Sequence, residues 1–165
     1  MAKLWPRLQK AAVICLIAVS AAGVLCGMRR DTLAQASPVK NQRDYEMSTT
    51  LKLQIGGQAV TVSWENNETV AALRKLAAQA PLTIKMSRYG GFEQVGSLGT
   101  SLPRSDKQLT TEAGDIVLYS GNQLVVFYGS NSWAYTRLGR ITGKNAAELA
   151  QLLDHNNVTI LISSE

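Results

Sequence analysis

Most of the chain after residue 49 consists of short stretches in which apolar and polar residues alternate. Residues 50–55 and 59–64 both show this period of two, which is typical of a strand with one buried face. Gly56-Gly57 lies between them and predicts a tight hairpin turn. The same alternation, or a short continuous apolar stretch, predicts six further strands, at residues 82–89, 92–98, 115–120, 123–129, 135–141 and 157–163.

The hydrophobic period lengthens to that of a helix in two places. In residues 66–80 the apolar side chains fall on one helical face, with Asn66 or Asn67 as the N-cap and Pro81 preventing the helix from continuing. Residues 145–153 begin with an asparagine followed three residues later by a glutamate, which is a capping-box pattern. Both stretches therefore predict short helices.

Eight strands and two helices indicate a mainly β fold. Many short strands joined by turn residues favour a small closed or nearly closed β-barrel of about eight strands, with the two short helices plugging its ends. Residues 96–106 are rich in Gly, Ser and Pro and predict a loop.

The first 36 residues have the features of an export segment. Three basic residues precede the uncharged, mostly apolar residues 11–28, and Ala34-Gln35-Ala36 forms an Ala-x-Ala cleavage site. Three interpretations are open: a signal peptide cleaved after Ala36, an uncleaved N-terminal membrane anchor, or a lipoprotein modified at Cys26. Each predicts a protein that is periplasmic, extracellular or anchored facing outward, and that contacts the membrane only through this segment.

The sequence thus divides into an export segment at residues 1–36, a polar linker at residues 37–48 and a domain at residues 49–165. The net charge of +5 belongs mostly to the export segment. Five of the 17 Lys and Arg residues but only one of the 12 acidic residues lie there, which leaves a net charge of +1 on the rest. Because a nucleic-acid-binding domain needs a basic face, we expect no nucleic-acid partner.

The residue types that hold metals or act as nucleophiles are scarce in the domain. Both cysteines, Cys15 and Cys26, lie in the export segment, and His155 is the one histidine. A metal centre needs several converging ligands, and no Gly-x-Ser-x-Gly motif is present. We therefore expect no metal site and no cofactor, with His155 a solvated residue near a helix end.

Three sequence stretches carry a resemblance to a known family. They are TVAALRKL (residues 69–76), GDIVLYSGNQLVVFYG (residues 114–129) and YTRLGRI (residues 135–141). Together with PLTIKMS before a Gly-rich loop, and in this order, they resemble the cyclophilins and especially the smaller prokaryotic cyclophilin-like fold family. The resemblance covers roughly residues 49–163. It implies a bacterial protein with a small β-barrel and a groove for an extended peptide.

The resemblance also locates the residues of prolyl isomerisation, in which an arginine on a strand polarises the amide before proline. That arginine position falls on Met86. Lys85 precedes it on the opposite strand face, and Arg88 follows two residues later. The position of the pocket histidine falls on Tyr135, and the pocket glutamine is kept as Gln123. Without the arginine, the resemblance favours a non-catalytic module that binds a peptide segment or a small ligand.

The predicted groove combines residues of three strands and one polar loop. Alternation makes Phe127 a candidate for the barrel core as well, and Trp133 is expected in the loop before the last strand but one. Two alternatives are an isomerase that uses Arg88 or Arg137 as its cation, and a domain that docks a partner protein. The predicted groove residues are Lys85, Met86, Gln123, Phe127, Trp133, Tyr135 and Arg137.

Cleavage of the export segment can be tested on protein recovered from cells. We expect intact-mass measurement and N-terminal sequencing to give Ser37 as the first residue, because the Ala-x-Ala site ends at Ala36. A full-length chain starting at Met1 in the membrane fraction would contradict cleavage and show an anchor. A lipidated N-terminus at Cys26 would show a lipoprotein.

Overall fold

The computed structural model describes residues 50–165. The predicted export segment and the whole of the predicted linker, residues 1–48, lie outside the described residues. Within residues 50–165, no helix is both long enough and apolar enough to span a membrane.

Nine strands and two helices make up the described part of the chain. The helices are α1 (Glu68–Gln79) and α2 (Ala146–Leu153). The strands are β1 (Leu51–Ile55), β2 (Gln58–Trp64), β3 (Leu82–Tyr89), β4 (Glu93–Ser97), β5 (Lys107–Thr110), β6 (Asp115–Tyr119), β7 (Gln123–Phe127), β8 (Ser132–Thr142) and β9 (Asn157–Ser164).

Eight of the strands close into an antiparallel barrel. Their order is β2-β1-β9-β3-β4-β7-β6-β8, and β8 pairs back onto β2. The predicted mainly β fold, an eight-stranded barrel with two short helices, is therefore confirmed. The ninth strand, β5, was not predicted, and it pairs with the first four residues of β8. β8 accordingly begins three residues earlier than the sequence pattern indicated.

The barrel interior is filled with aliphatic side chains. Inward-facing positions of the strands meet the apolar face of α1 and two leucines of α2. Burial of this surface is the main favourable term in the folding free energy. Among the side chains with essentially no exposure are Leu53, Leu73, Ile116, Leu118, Leu124, Leu138, Leu153 and Ile160.

Side-chain hydrogen bonds begin both helices at the predicted places. Asn67 is the N-cap of α1, where its Oδ1 accepts from the backbone N–H of Val70 at 2.9 Å. Its Nδ2 donates to the carbonyl of Arg137 at 2.8 Å, which ties the helix to β8. Asn145 and Glu148 form the expected capping box of α2, with bonds of 2.7 and 3.0 Å.

A β-bulge interrupts the pairing of β8 with β6. The register passes from Ile116 opposite Gly139 to Val117 opposite Arg137, so Leu138 is the extra residue. Gly139 is required there, because a Cβ would lie 2.6 Å from the carbonyl oxygen of Ser63 on β2. The residues of β8 that precede the bulge continue past the end of β6 and pair with β5.

A second, smaller hydrophobic cluster lies on the outer face of the barrel. Leu124 and Val126 of β7 belong to the interior core, whereas Val125 and Phe127 point to the other side. Phe92, Val95 and Leu109 pack against this outer cluster, whose buried members are Val117, Val125, Phe127 and Tyr135. β7 is thus buried on both faces, which explains its continuous apolar sequence.

Packing between β3 and β4 leaves no room for a side chain at Gly96. An added Cβ would lie 2.7 Å from Cγ2 of Ile84 and 2.8 Å from the carbonyl oxygen of Lys85. We expect Gly96→Ala to lower the free energy of unfolding by about 1–3 kcal/mol, the usual cost of overpacking a core. Ser97→Ala, on the same strand but exposed, is the matched control and should change it by less than about 0.5 kcal/mol. Equal denaturation midpoints for the two variants would contradict this packing.

Candidate functional site

The outer hydrophobic cluster forms the base of a pocket, here called the outer pocket. Strand alternation turns Glu93 and Val95 of β4 away from the barrel interior, and the sheet register sets them beside Tyr89 and Val125. The cavity has a volume of about 450 Å³. Its lining residues are Tyr89, Glu93, Val95, Tyr119, Val125, Asn131, Trp133 and Tyr135.

Aromatic rings form the walls of the outer pocket. Tyr89, Tyr119 and Trp133 are 65%, 39% and 56% exposed, and they are all of the exposed large hydrophobic side chains among residues 50–165. A protein surface normally scatters such side chains, so their concentration around one cavity makes this cavity the candidate site. The three rings come from the ends of β3, β6 and β8.

Tyr135 joins these walls to the base of the pocket. Its ring meets Tyr119 edge-on, with centroids 6.0 Å apart and planes inclined by 67°. It meets Phe127 in a similar way at 5.7 Å and 71°. Its hydroxyl accepts a hydrogen bond from Nδ2 of Asn131 at 2.9 Å. This ring is only 4% exposed and is held on two sides, so it presents a fixed surface to the cavity.

A buried carboxyl group is the one acidic group in the outer pocket. Glu93 is 5% exposed, and its Oε2 has no hydrogen-bond partner among residues 50–165. Desolvation by burial raises the pKa of Glu93 from its ordinary value of 4.5 to about 7. Burial, and secondarily the charge of Glu93, also raise the pKa of the Tyr135 phenol. The pocket therefore contains an acid that changes its charge near neutral pH.

A second depression of about 480 Å³ lies on the other side of Tyr135 and is more polar. It is bounded by the β2–α1 connection, residues 103–109 and β8. Thr136 is fixed in its wall, since its Oγ1 donates to Asp106 at 2.6 Å and accepts from the N–H of Ser105 at 2.8 Å. These hydrogen bonds serve to attach the segment before β5 to the barrel.

The structure brings two of the predicted groove residues together in the outer pocket, Trp133 and Tyr135. Trp133 lies in a strand rather than in the expected loop, because Leu109 of β5 pairs with it. Phe127 is fully buried beneath the pocket on the outer face, and not in the barrel interior for which alternation made it a candidate, because Leu124 and Val126 take the inward positions of β7. Tyr135 is the residue that the resemblance set at the position of the pocket histidine.

The other predicted groove residues lie outside this pocket. Met86 faces the barrel interior and is 1% exposed, since it shares the inward face of β3 with Ile84. Lys85 is exposed on β3, and Gln123 is half-buried at the start of β7, but neither lines the cavity. The resemblance placed Met86 at a catalytic position, whereas strand alternation in this barrel turns it to the core.

Both arginines proposed as catalytic cations are paired with aspartates. The guanidinium of Arg137 donates to the buried Asp115 at 2.8 Å, and it lies beside the polar depression. That of Arg88 donates to Asp154 at 3.1 Å, and Asp154 also accepts from the hydroxyl of Tyr128 at 3.2 Å. No Lys, Arg or His side chain lines the outer pocket in the described part of the chain.

Sequence reasoning missed most of the outer pocket. Alternation does place Glu93 and Val95 on one strand face, but it does not tell whether that face is inside or outside the barrel. A glutamate followed at the second position by valine is a weak signal for a buried acid. The lining residues that were not predicted are Tyr89, Glu93, Val95, Tyr119, Val125 and Asn131.

Among residues 50–165, no three His, Cys, Asp or Glu side chains are grouped so that they could hold a metal ion. His155 lies just after α2, where a ring nitrogen is 2.9 Å from the carbonyl oxygen of Gln151.

Comparison with known proteins matches the chain to a family model and to solved structures. The model of the cyclophilin-like family matches residues 53–163, well over half of the 165-residue chain. The solution structure of a hypothetical protein from Archaeoglobus fulgidus is similar at 17% sequence identity and a TM-score of 0.49. That match covers 68% of this chain and 92% of the archaeal one. No curated protein matches the chain.

The raised pKa of Glu93 predicts a pH-dependent stability. The folded state binds the proton of this carboxyl more tightly than the unfolded state does. Its stabilising contribution is therefore complete below about pH 4.5 and is lost as the pH rises through about 7. The free energy of unfolding of Glu93→Gln minus that of the wild type should therefore rise with pH. We expect this difference to be about 1–3 kcal/mol larger at pH 8 than at pH 5.

Chemical denaturation of both proteins at the two pH values measures this difference. Glu65→Gln, which changes an exposed carboxyl, is the control and should show no such gain. If the difference in free energy of unfolding between Glu93→Gln and the wild type is the same at pH 5 and pH 8, Glu93 has an ordinary pKa.

Proposed function

The chain belongs to the cyclophilin-like family, and we propose that it is a non-catalytic binding module whose outer pocket takes up a small ligand or a side chain of a peptide segment. The observation that carries the proposal is the concentration of exposed aromatic rings around one cavity. A volume of about 450 Å³ is within the range of small-molecule sites. Exposed aromatic side chains with fixed orientations supply much contact area at a low entropic cost.

The chemistry of the lining supports binding rather than prolyl isomerisation. Rotation about an amide bond has a barrier of ~18–20 kcal/mol, and the family resemblance implies an isomerase that lowers it with a cation near the amide. The outer pocket instead contains the carboxyl of Glu93 among apolar and aromatic groups. Arg88 and Arg137, the cations of the alternative hypothesis, are engaged by Asp154 and Asp115 elsewhere on the barrel.

We also propose that binding takes place outside the cytoplasm. The basic and apolar composition of residues 1–36 and the Ala-x-Ala site support export. Docking of a partner protein on the same aromatic surface is the remaining alternative, and the experiment below separates it from binding of a small ligand.

Two measurements on the purified protein test the proposal. In a coupled assay on an Ala-Pro peptide, we expect cis–trans isomerisation to proceed at the uncatalysed rate. In NMR titrations with a panel of short peptides and small molecules, we expect ligands to perturb the Trp133 indole and the Tyr135 ring. Trp133→Ala should weaken each such interaction about tenfold or more, the usual effect of removing a central aromatic contact.

Lys85→Ala is the matched control for Trp133→Ala, since Lys85 is exposed on the outer side of the same barrel but does not line the cavity. Turnover well above background that disappears in Arg88→Ala or Arg137→Ala would replace the binding proposal with isomerase activity. Protein docking would be favoured if no peptide or small molecule binds and the chain instead captures a folded protein. Trp133→Ala should then abolish that capture.

A further inference from the structure

We propose that the outer pocket recognises an organic cation, specifically a quaternary or alkylated ammonium group. This inference rests on the proposed binding function of the same pocket and adds the chemical class of its ligand. Three properties of the cavity lead to it: the arrangement of its aromatic rings, the unpaired carboxyl in its base, and the scarcity of other polar groups.

The rings are arranged as the walls of a cage. Tyr119 and Tyr135 are in edge-to-face contact, with centroids 6.0 Å apart and planes inclined by 67°, and both line the cavity. Tyr89 and Trp133 line the same cavity and remain largely open to solvent. The face of an aromatic ring carries partial negative charge and attracts a cation within about 6 Å of its centre. Several faces around one cavity favour a single, roughly spherical cationic group.

Glu93 gives the cavity a charge that lacks a counter-ion. Its carboxyl is buried, its Oε2 accepts no hydrogen bond, and no basic side chain lines the cavity in the described residues. Ionising such a group in apolar surroundings is costly unless a positive charge lies nearby. A bound cation would supply that charge, whereas a neutral ligand would leave it unpaired and an anion would be repelled.

The remaining lining selects an alkylated cation over a hydrated one. Val95 and Val125 are apolar, and the polar groups besides Glu93 are tyrosine hydroxyls, the Trp133 indole N–H and the Asn131 amide, which already donates to Tyr135. A metal ion or a primary ammonium group needs several oxygen ligands in place of its water. An alkylated ammonium group needs none, because its surface is made of C–H groups that pack against rings.

Binding of a permanent cation would be linked to the ionisation of Glu93. The pKa of Glu93 is about 7 in the free protein, and a positive charge beside it would lower that pKa. The other titratable groups near it are the phenols of Tyr89, Tyr119 and Tyr135 in the lining, and the phenol of Tyr128, on which its charge acts. Burial is the main cause that raises the pKa of both Tyr128 and Tyr135. Between pH 6 and pH 8 the change in affinity would therefore report on Glu93.

Choline and 3,3-dimethylbutan-1-ol form a matched pair of probes, because they share a shape and differ in charge. We expect NMR titration at constant ionic strength to show choline binding at the Trp133 and Tyr135 resonances at least tenfold more tightly than the alcohol at pH 8. Its affinity should fall about tenfold at pH 6, where a carboxyl of pKa 7 is mostly protonated. Calorimetry in buffers of different ionisation enthalpy should show proton release at pH 6.

Glu93→Gln keeps the shape of the side chain and removes its charge. We expect it to abolish the pH dependence of choline binding and to reduce the preference for choline over the alcohol to the part that the aromatic rings contribute. Trp133→Leu should weaken choline more than the alcohol, and it tests the cage independently of the carboxyl. The peptide acetyl-Gly-Lys-Gly-amide carries an unalkylated ammonium group and should bind more weakly than choline.

Equal binding of choline and the alcohol, with Glu93→Gln unchanged, would overturn the cation proposal and leave the outer pocket as an apolar binding site. Absence of choline binding at millimolar concentration, while members of the peptide and small-molecule panel do bind there, would overturn it too. If the lysine peptide binds more tightly than choline, the pocket does not prefer an alkylated ammonium group. The cation that it recognises would then be a peptide side chain. Absence of any ligand at this surface would reject the proposed function along with it.

Discussion

The closure of the barrel is the constraint on which the rest of this structure depends. Because β8 pairs with both β6 and β2, every inward position of eight strands must fill one interior, and every alternate side chain must point outward. On β4 this rule turns Gln94 and Gly96 inward and Glu93 and Val95 outward. Gln94 donates to two carbonyl groups at the end of α2, which fixes that orientation. The outer pocket is thus a consequence of a filled barrel.

At the bulge at Leu138 the pairing of β8 with β6 shifts, and the residues of β8 before the bulge extend to the outer pocket. β8 is long enough to pair with β2 at one end and with β5 at the other, and its first residues deliver Trp133 and Tyr135 to the outer face. The ring of Tyr135 then covers Phe127, so β7 is buried on both sides. Glu93 is buried on the same outer face, and this burial raises its pKa.

The fold could be predicted largely from the sequence because its signals are local. Alternation identified eight strands, and asparagine caps marked both helices. β5 was not predicted, because its sequence KQLT has a single apolar residue, Leu109. It becomes a strand only by pairing with β8. The candidate site was harder to predict. Trp133 and Tyr135 are neighbours in sequence, but Tyr89, Glu93 and Tyr119 join them only through the register of three strand pairs. Alternation shows which residues share a face, and the closed barrel decides which face is inside, as the burial of Met86 illustrates.

The central feature of the outer pocket is a buried carboxyl group that shares one cavity with several aromatic rings and has no basic side chain beside it in the lining that residues 50–165 supply. The most direct test is to follow the Cδ resonance of Glu93 by carbon NMR in glutamate-labelled protein as the pH is varied, first alone and then with saturating choline. We expect the titration of Glu93 to have its midpoint near pH 7 in the free protein and at a lower pH once the cation is bound. A midpoint near 4.5 that choline does not move would show a solvated glutamate and contradict the account.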